Sequence, residues 1–159
     1  DYPGTTQSTL LYPLSFDKPH LFNLNANIYL PEKVGPDIFD VFPLENTVWN
    51  LVVRANSGYP YTPAPNGRVV SYIPKNSARM PMTYSVDVQI NKEWKFSSTK
   101  FTIFVEILNL TNRKNALYVY TDTGEPDVTY AGNYSQVYIQ DPSNFGPPRR
   151  IRLGARFSF

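Results

Sequence analysis

Five stretches of alternating apolar and polar side chains constrain this chain more than any other feature. In the first, Phe22, Leu24, Ala26, Ile28 and Leu30 alternate with Asn23, Asn25, Asn27 and Tyr29. Trp49, Leu51, Val53 and Ala55 repeat the pattern, and so do Tyr84, Val86, Val88 and Ile90, a run that continues through Trp94 and Phe96. Phe101, Ile103, Val105 and Ile107 form the fourth set, and Ile151, Leu153, Ala155, Phe157 and Phe159 the fifth. Successive side chains of a β-strand point to opposite faces, so a period of two gives each strand one apolar and one polar side. Helical spacing is weak throughout. The expectation is an all-β chain with antiparallel strands near residues 20–31, 47–57, 83–96, 100–111 and 149–159.

An alternating strand suits a soluble sandwich, with its apolar face turned inward, as well as a membrane wall, with that face turned to lipid. Three details favour the wall. The polar faces carry Asn, Gln, Asp, Glu and Arg, as a water-filled or plugged lumen requires. The segments are about 9–13 residues, near the length a tilted strand needs to cross a bilayer. Aromatic side chains gather toward strand ends, at Trp49, Trp94, Phe96, Phe157 and Phe159, where a barrel carries its interfacial girdles. The mean hydropathy of −0.35 does not oppose this, because only alternate residues meet lipid.

Composition closes off other classes. The 159 residues suit one domain, and the absence of cysteine removes disulfides and thiolate metal sites. Fifteen basic against 13 acidic residues is too balanced for a nucleic-acid partner. No Gly-rich phosphate loop, G-x-S-x-G or paired-His motif is present, so no enzyme and no cofactor are expected.

The connections fit a barrel. A tight turn near Ser97-Ser98-Thr99 joins the third and fourth strands, whereas residues 57–81 and 112–148 are long and rich in Pro, Gly, Asn and Tyr. Barrels have short periplasmic turns and long outer loops. Residues 31–46 are an exception on the short side, and the run Asp37-Ile38-Phe39-Asp40-Val41-Phe42 fits either a strand extension or a turn of helix. Hydrocarbon offers no partner to open backbone groups, so a spanning sheet must close, and the smallest single-chain barrels have about eight strands. Five strands are too few. The chain opens on Asp1-Tyr2-Pro3-Gly4 without a basic, apolar leader, and an internal starting point in a longer protein is expected.

Several stretches together resemble the C-terminal end of TonB-dependent outer-membrane receptors. They are residues 13–20 (PLSFDKPH), 57–63 (SGYPYTP), 79–81 (RMP), 106–115 (EILNLTNRKN) and 148–159 (PRRIRLGARFSF). The resemblance implies about five strands of a 22-stranded barrel in the bacterial outer membrane, filled by a plug domain that this chain lacks. It implies active uptake of a siderophore, vitamin or glycan. Expected partners are the lipid bilayer, the remaining wall and plug, a TonB-type energising complex reached through the plug, and the barrel-assembly machinery. A scaffold component or one chain of a split barrel is the alternative, and a soluble β-sandwich binding module a remote one.

Three residue sets are candidates for function. Ile151, Leu153, Ala155, Phe157 and Phe159 resemble the tail read by barrel-assembly machinery, through strand addition with alternate side chains giving selectivity; the plainer reading is a closing strand with a girdle. Arg54, Asp87, Glu93, Glu106, Arg152 and Arg156 should line the inner face, either guiding substrate and docking the plug or pairing locally. Arg152 and Arg156 are both expected near Glu106, for about 0.2–1 kcal/mol per cross-strand pair. Tyr59, Tyr61, Tyr72, Tyr118, Tyr120, Tyr130, Tyr134 and Tyr138 fall in the long loops, where amphipathic rings suit either ligand contact or loop packing. Asp122, Glu125 and Asp127 lack the spacing of a calcium loop, His20 has no second imidazole to work with, and no metal site is assigned. Asn109-Leu110-Thr111 and Asn133-Tyr134-Ser135 match a glycosylation pattern that carries no weight in such a protein.

Overall fold

A computed structural model describes residues 11–65, 68, 70–130, 132 and 139–159. Its main body is one antiparallel sheet built from β1 (Leu21–Leu30), β2 (Thr47–Asn56), β5 (Thr83–Phe96), β6 (Thr99–Leu108) and β7 (Arg150–Ser158), in that spatial order. Between β2 and β5 the chain forms a separate two-stranded ribbon, β3 (Pro60–Tyr61) and β4 (Ala78–Arg79). The alternation did not signal this ribbon, because two residues are too short a window to show a period.

The register stacks the apolar positions of every strand into continuous rows. Ala26, Leu51, Val88, Ile107 and Ile151 make one row across all five strands. Ile28, Trp49, Ile90, Val105 and Leu153 make the next. Below them Trp94, Phe101 and Phe157 form an aromatic row, with centroids 5.7 Å apart across the first pair and 4.5 Å across the second. A slip of one residue in any strand would turn its whole apolar set to the other face, so agreement of all four ladders defines one face uniquely.

That face is uncovered. Among the described residues each strand packs only against its ladder neighbours. Leu24 is 44%, Ile28 57%, Leu153 74% and Phe157 67% exposed. The only buried apolar side chains among the described residues are those of Pro60, Ala64, Ala116 and Pro126, none of them in the five-stranded sheet. A soluble domain of this size buries a sizeable apolar core, typically hiding two thirds of the surface its unfolded chain exposes. Among the described residues the alternation produces a ribbon with no second layer.

The turns follow from backbone chemistry. Phe96 pairs with Thr99, leaving a two-residue turn at Ser97-Ser98, with Ser97 in the left-handed region at φ 54°. In residues 31–46 the Asp37–Phe42 run is neither a strand extension nor a helical turn. Ile38 and Val41 exchange backbone hydrogen bonds of 3.0 and 3.1 Å around Phe39 and Asp40. Both central residues have positive φ, 54° and 62°, the geometry of a tight primed turn. The Asp37 carboxylate accepts from the Asp40 amide at 2.9 Å, which holds this costly conformation.

The fourth strand ends at Leu108 rather than near residue 111, and Asn109 is the reason. Its φ of 54° takes it out of the ladder, and the Leu110 amide then reaches the Val86 carbonyl at 2.7 Å. Regular pairing would have set Asn109 opposite Val86, so one extra residue is inserted, as in a β-bulge.

Candidate functional site

All six charged candidates lie on the polar face, and four of them form two ion pairs. Asn27, Asn50, Gln89, Glu106 and Arg152 form one cross-sheet row. Within it the Arg152 Nε donates to the Glu106 carboxylate at 2.6 Å. Arg54 reaches diagonally to Asp87 at 2.7 Å. Arg156 stands opposite Thr102, with Glu93 on the far side of the same row, and so does not share Glu106 as expected. The reason is the period itself: Arg156 lies four residues from Arg152, two rows along the same face.

Asp87 is the most engaged of these side chains. One carboxylate oxygen takes the Arg54 guanidinium and the other accepts the Asn109 amide at 2.8 Å. Asn109 is itself only 7% exposed. Its Nδ2 donates to the carbonyls of Arg113 and Pro147 at 3.0 and 3.1 Å, and its Oδ1 accepts the Arg113 amide at 3.1 Å. One side chain thus ties the end of β6 to the segment that leads into β7. Both ends of the Asn109 amide are thus bonded within the chain; Asn133, of the second glycosylation match, lies outside the described residues. Asn115 does similar work beside it, offering Oδ1 to the Tyr84 amide at 2.9 Å and Nδ2 to the Tyr84 carbonyl at 2.8 Å. It stands in for a strand partner at the start of β5.

On β7 the side chains of Ile151, Leu153, Ala155 and Phe157 share the apolar face, and Phe159 follows just past the strand, fully exposed. Several residues depart from the simple division of faces, Lys92 and Phe104 among them. Lys92 sits on the apolar side, opposite Thr47 and Ile103. Its ammonium donates to the Glu45 carbonyl and lies 5.6 Å from the Trp94 ring, so the stem covers apolar surface while the charge reaches a polar edge. Phe104 sits on the polar side, its ring laid over Gly154.

The tyrosines do not form one cluster. Tyr59 carries the Lys18 ammonium 3.9 Å over its ring. Tyr61 packs on Gly124, and the Tyr120 hydroxyl donates to the Ile139 carbonyl at 3.1 Å, so both serve loop structure. Burial of the Tyr61 phenol, reinforced by the carboxylates of Glu125 and Asp122, raises its pKa above the usual 10.0. Tyr72, Tyr118 and Tyr130 are largely exposed, at 80, 68 and 80%. Tyr134 and Tyr138 lie outside the described residues. The Asp122 carboxylate is used within its loop, accepting from Thr129 Oγ1 at 2.8 Å and the Tyr130 amide at 2.6 Å.

Strand periodicity did not reveal a cleft of about 450 Å³ at the loop end of the polar face. Ser85, Asp87 and Arg150 line its sheet side, Lys18 and Tyr59 one flank, and the strap around Ala116 the other. The strap is held by an Ala116–Phe145 bridge and by the Gly146 amide donating to the Asn115 carbonyl at 2.8 Å. Its lining comes from six separate stretches of chain, which is why local sequence carries no sign of it.

Comparison of the chain with protein-family models, with curated proteins and with solved structures finds no match.

Proposed function

We propose that this chain is a wall segment of a bacterial outer-membrane β-barrel, belonging to a TonB-dependent receptor for active nutrient uptake. The observation that carries the reading is the uncovered apolar face, in register across five strands and backed by an ion-paired polar face. Water makes such a face unfavourable by roughly 25 cal/mol per Å² of apolar surface. Acyl chains remove that cost without a second protein layer.

Dimensions support the same reading. From Tyr84 to Trp94 on β5 the apolar rows extend over about 33 Å at about 3.3 Å per residue. At the 35–45° tilt of barrel strands this gives a band about 23–27 Å tall, against about 25 Å in outer-membrane barrels. Lys92, Trp94, Phe101 and Phe157 gather at one border of the band, the composition expected at a headgroup boundary. The two-residue turn at Ser97-Ser98 belongs to that border and the long loops to the other, which supports a periplasmic side at the turn and an outer side at the loops. The edges of β1 and β7 would be closed by further strands, and the receptor identity rests on the resemblance of the loop and strand-end segments.

The chain has no cysteine, so single cysteines report cleanly from within it. In outer membranes holding the intact protein, Val105→Cys and Leu153→Cys should react with a maleimide dissolved in the lipid phase. Gln89→Cys and Thr102→Cys should react only with a water-soluble one. Protection of Val105→Cys and Leu153→Cys from both reagents would mean a protein interior, and would end the barrel reading. Uptake that persists after the proton-motive force is collapsed would leave the barrel and remove the receptor.

A further inference from the structure

The loop-end cleft combines two cations without carboxylate partners and one carboxylate whose charge is already spent. Asp87 is satisfied on both oxygens, by Arg54 and the Asn109 amide. Neither Lys18 nor Arg150 lies within ion-pair distance of a carboxylate among the described residues, although Arg79 beside them is paired to Asp17. Lys18 rests instead on the Tyr59 ring, an arrangement that fixes the ammonium and leaves its N–H groups free to donate outward. Arg150 enters the cleft from β7, opposite Leu108. Two like charges facing one cavity repel, and an anion between them removes that repulsion.

Shape narrows the ligand. A cleft of about 450 Å³ holds a molecule of roughly disaccharide size. Its floor is largely apolar, with Met80, Pro81, Leu108, Ala116 and Pro147 in the lining. Ser85 and Thr83 supply hydroxyls that can donate to or accept from a polyol.

We propose that this cleft binds an anionic solute of about disaccharide size, its carboxylate or phosphate held between Lys18 and Arg150. The proposal deepens the receptor reading and rests on the polar face being a water-filled lumen, where the cleft would be met by a solute arriving through the loops. Lys18 would contribute a point charge and Arg150 a planar fork able to take two oxygens.

The test is calorimetric titration of the intact protein, purified in detergent, with digalacturonate, its neutral dimethyl ester and trehalose 6-phosphate. Digalacturonate or the phosphate should bind, the ester at least tenfold more weakly, and affinity should fall as salt rises. A preference between the two anions tells carboxylate from phosphate recognition. Lys18→Gln and Arg150→Gln should each weaken binding about tenfold, the weight of one charge-assisted hydrogen bond. Arg150→Lys should keep more affinity than Arg150→Gln, and Arg149→Gln, beside the cleft lining but outside it, should match the parent. Equal binding of acid and ester, or full affinity in the Lys18→Gln/Arg150→Gln double variant, would overturn the proposal. So would no binding of either anion by protein that labels as a barrel. Anion binding by a protein whose apolar-face cysteines are shielded would instead sink the barrel and keep the cleft.

Discussion

Replacing Asn109 by alanine should destabilise the protein more than any surface change nearby, for two separable reasons. The side chain makes three well-formed hydrogen bonds, to the Arg113 and Pro147 carbonyls and from the Arg113 amide, at a site only 7% exposed. Each is worth about 1 kcal/mol net, so their loss costs about 3 kcal/mol. The backbone adds to this, because φ 54° at a residue with a Cβ and no local side-chain hydrogen bond costs about 1–2 kcal/mol. The sum is about 4–5 kcal/mol for Asn109→Ala. Asn109→Gly avoids the backbone part and should cost about 2–3 kcal/mol. Urea unfolding of the intact protein in lipid vesicles, followed by the emission of Trp49 and Trp94, would rank parent, glycine variant and alanine variant in that order. Alanine within about 0.5 kcal/mol of the parent would refute the bonding argument. Alanine more stable than glycine would refute the left-handed one.

Leu153→Arg should cost about 2–4 kcal/mol if Leu153 sits near the middle of a lipid-facing band, whereas Leu153→Met should be nearly silent; equal stability of the two in vesicles would contradict a lipid-facing β7. Gly154→Val should disturb packing, because a Cβ there would lie 2.3 Å from the Phe104 ring, and Phe104→Ala in the same chain should restore much of the lost stability. A double-mutant cycle showing no coupling between those positions would refute the ring-on-glycine contact. The raised phenol of Tyr61 carries a definite sign: the folded loop favours the neutral form, so its stability is complete below the ordinary tyrosine range and is lost as pH rises through it. Protease nicking of the long loops should therefore increase above about pH 10 in the parent and not in Tyr61→Phe; identical alkaline profiles would rule this out.

Alternation alone determined that the chain is antiparallel β, where four of its five long strands begin and end to within about a residue, and which side chains share a face. It succeeded because the side-chain period of a strand is local and survives in any context that wets one face and not the other. Tertiary structure decided what depends on more than one stretch of chain. The end of β6 moved back to Leu108 because Asn109 has partners in Arg113, Pro147 and Asp87, none of which a period can report. Arg152 rather than Arg156 took Glu106, since register is settled by four ladders together. The cleft holding Lys18 and Arg150 exists only after loops from distant segments fold over the polar face. A repeating pattern needs only neighbours along the chain, whereas a binding site needs neighbours through space.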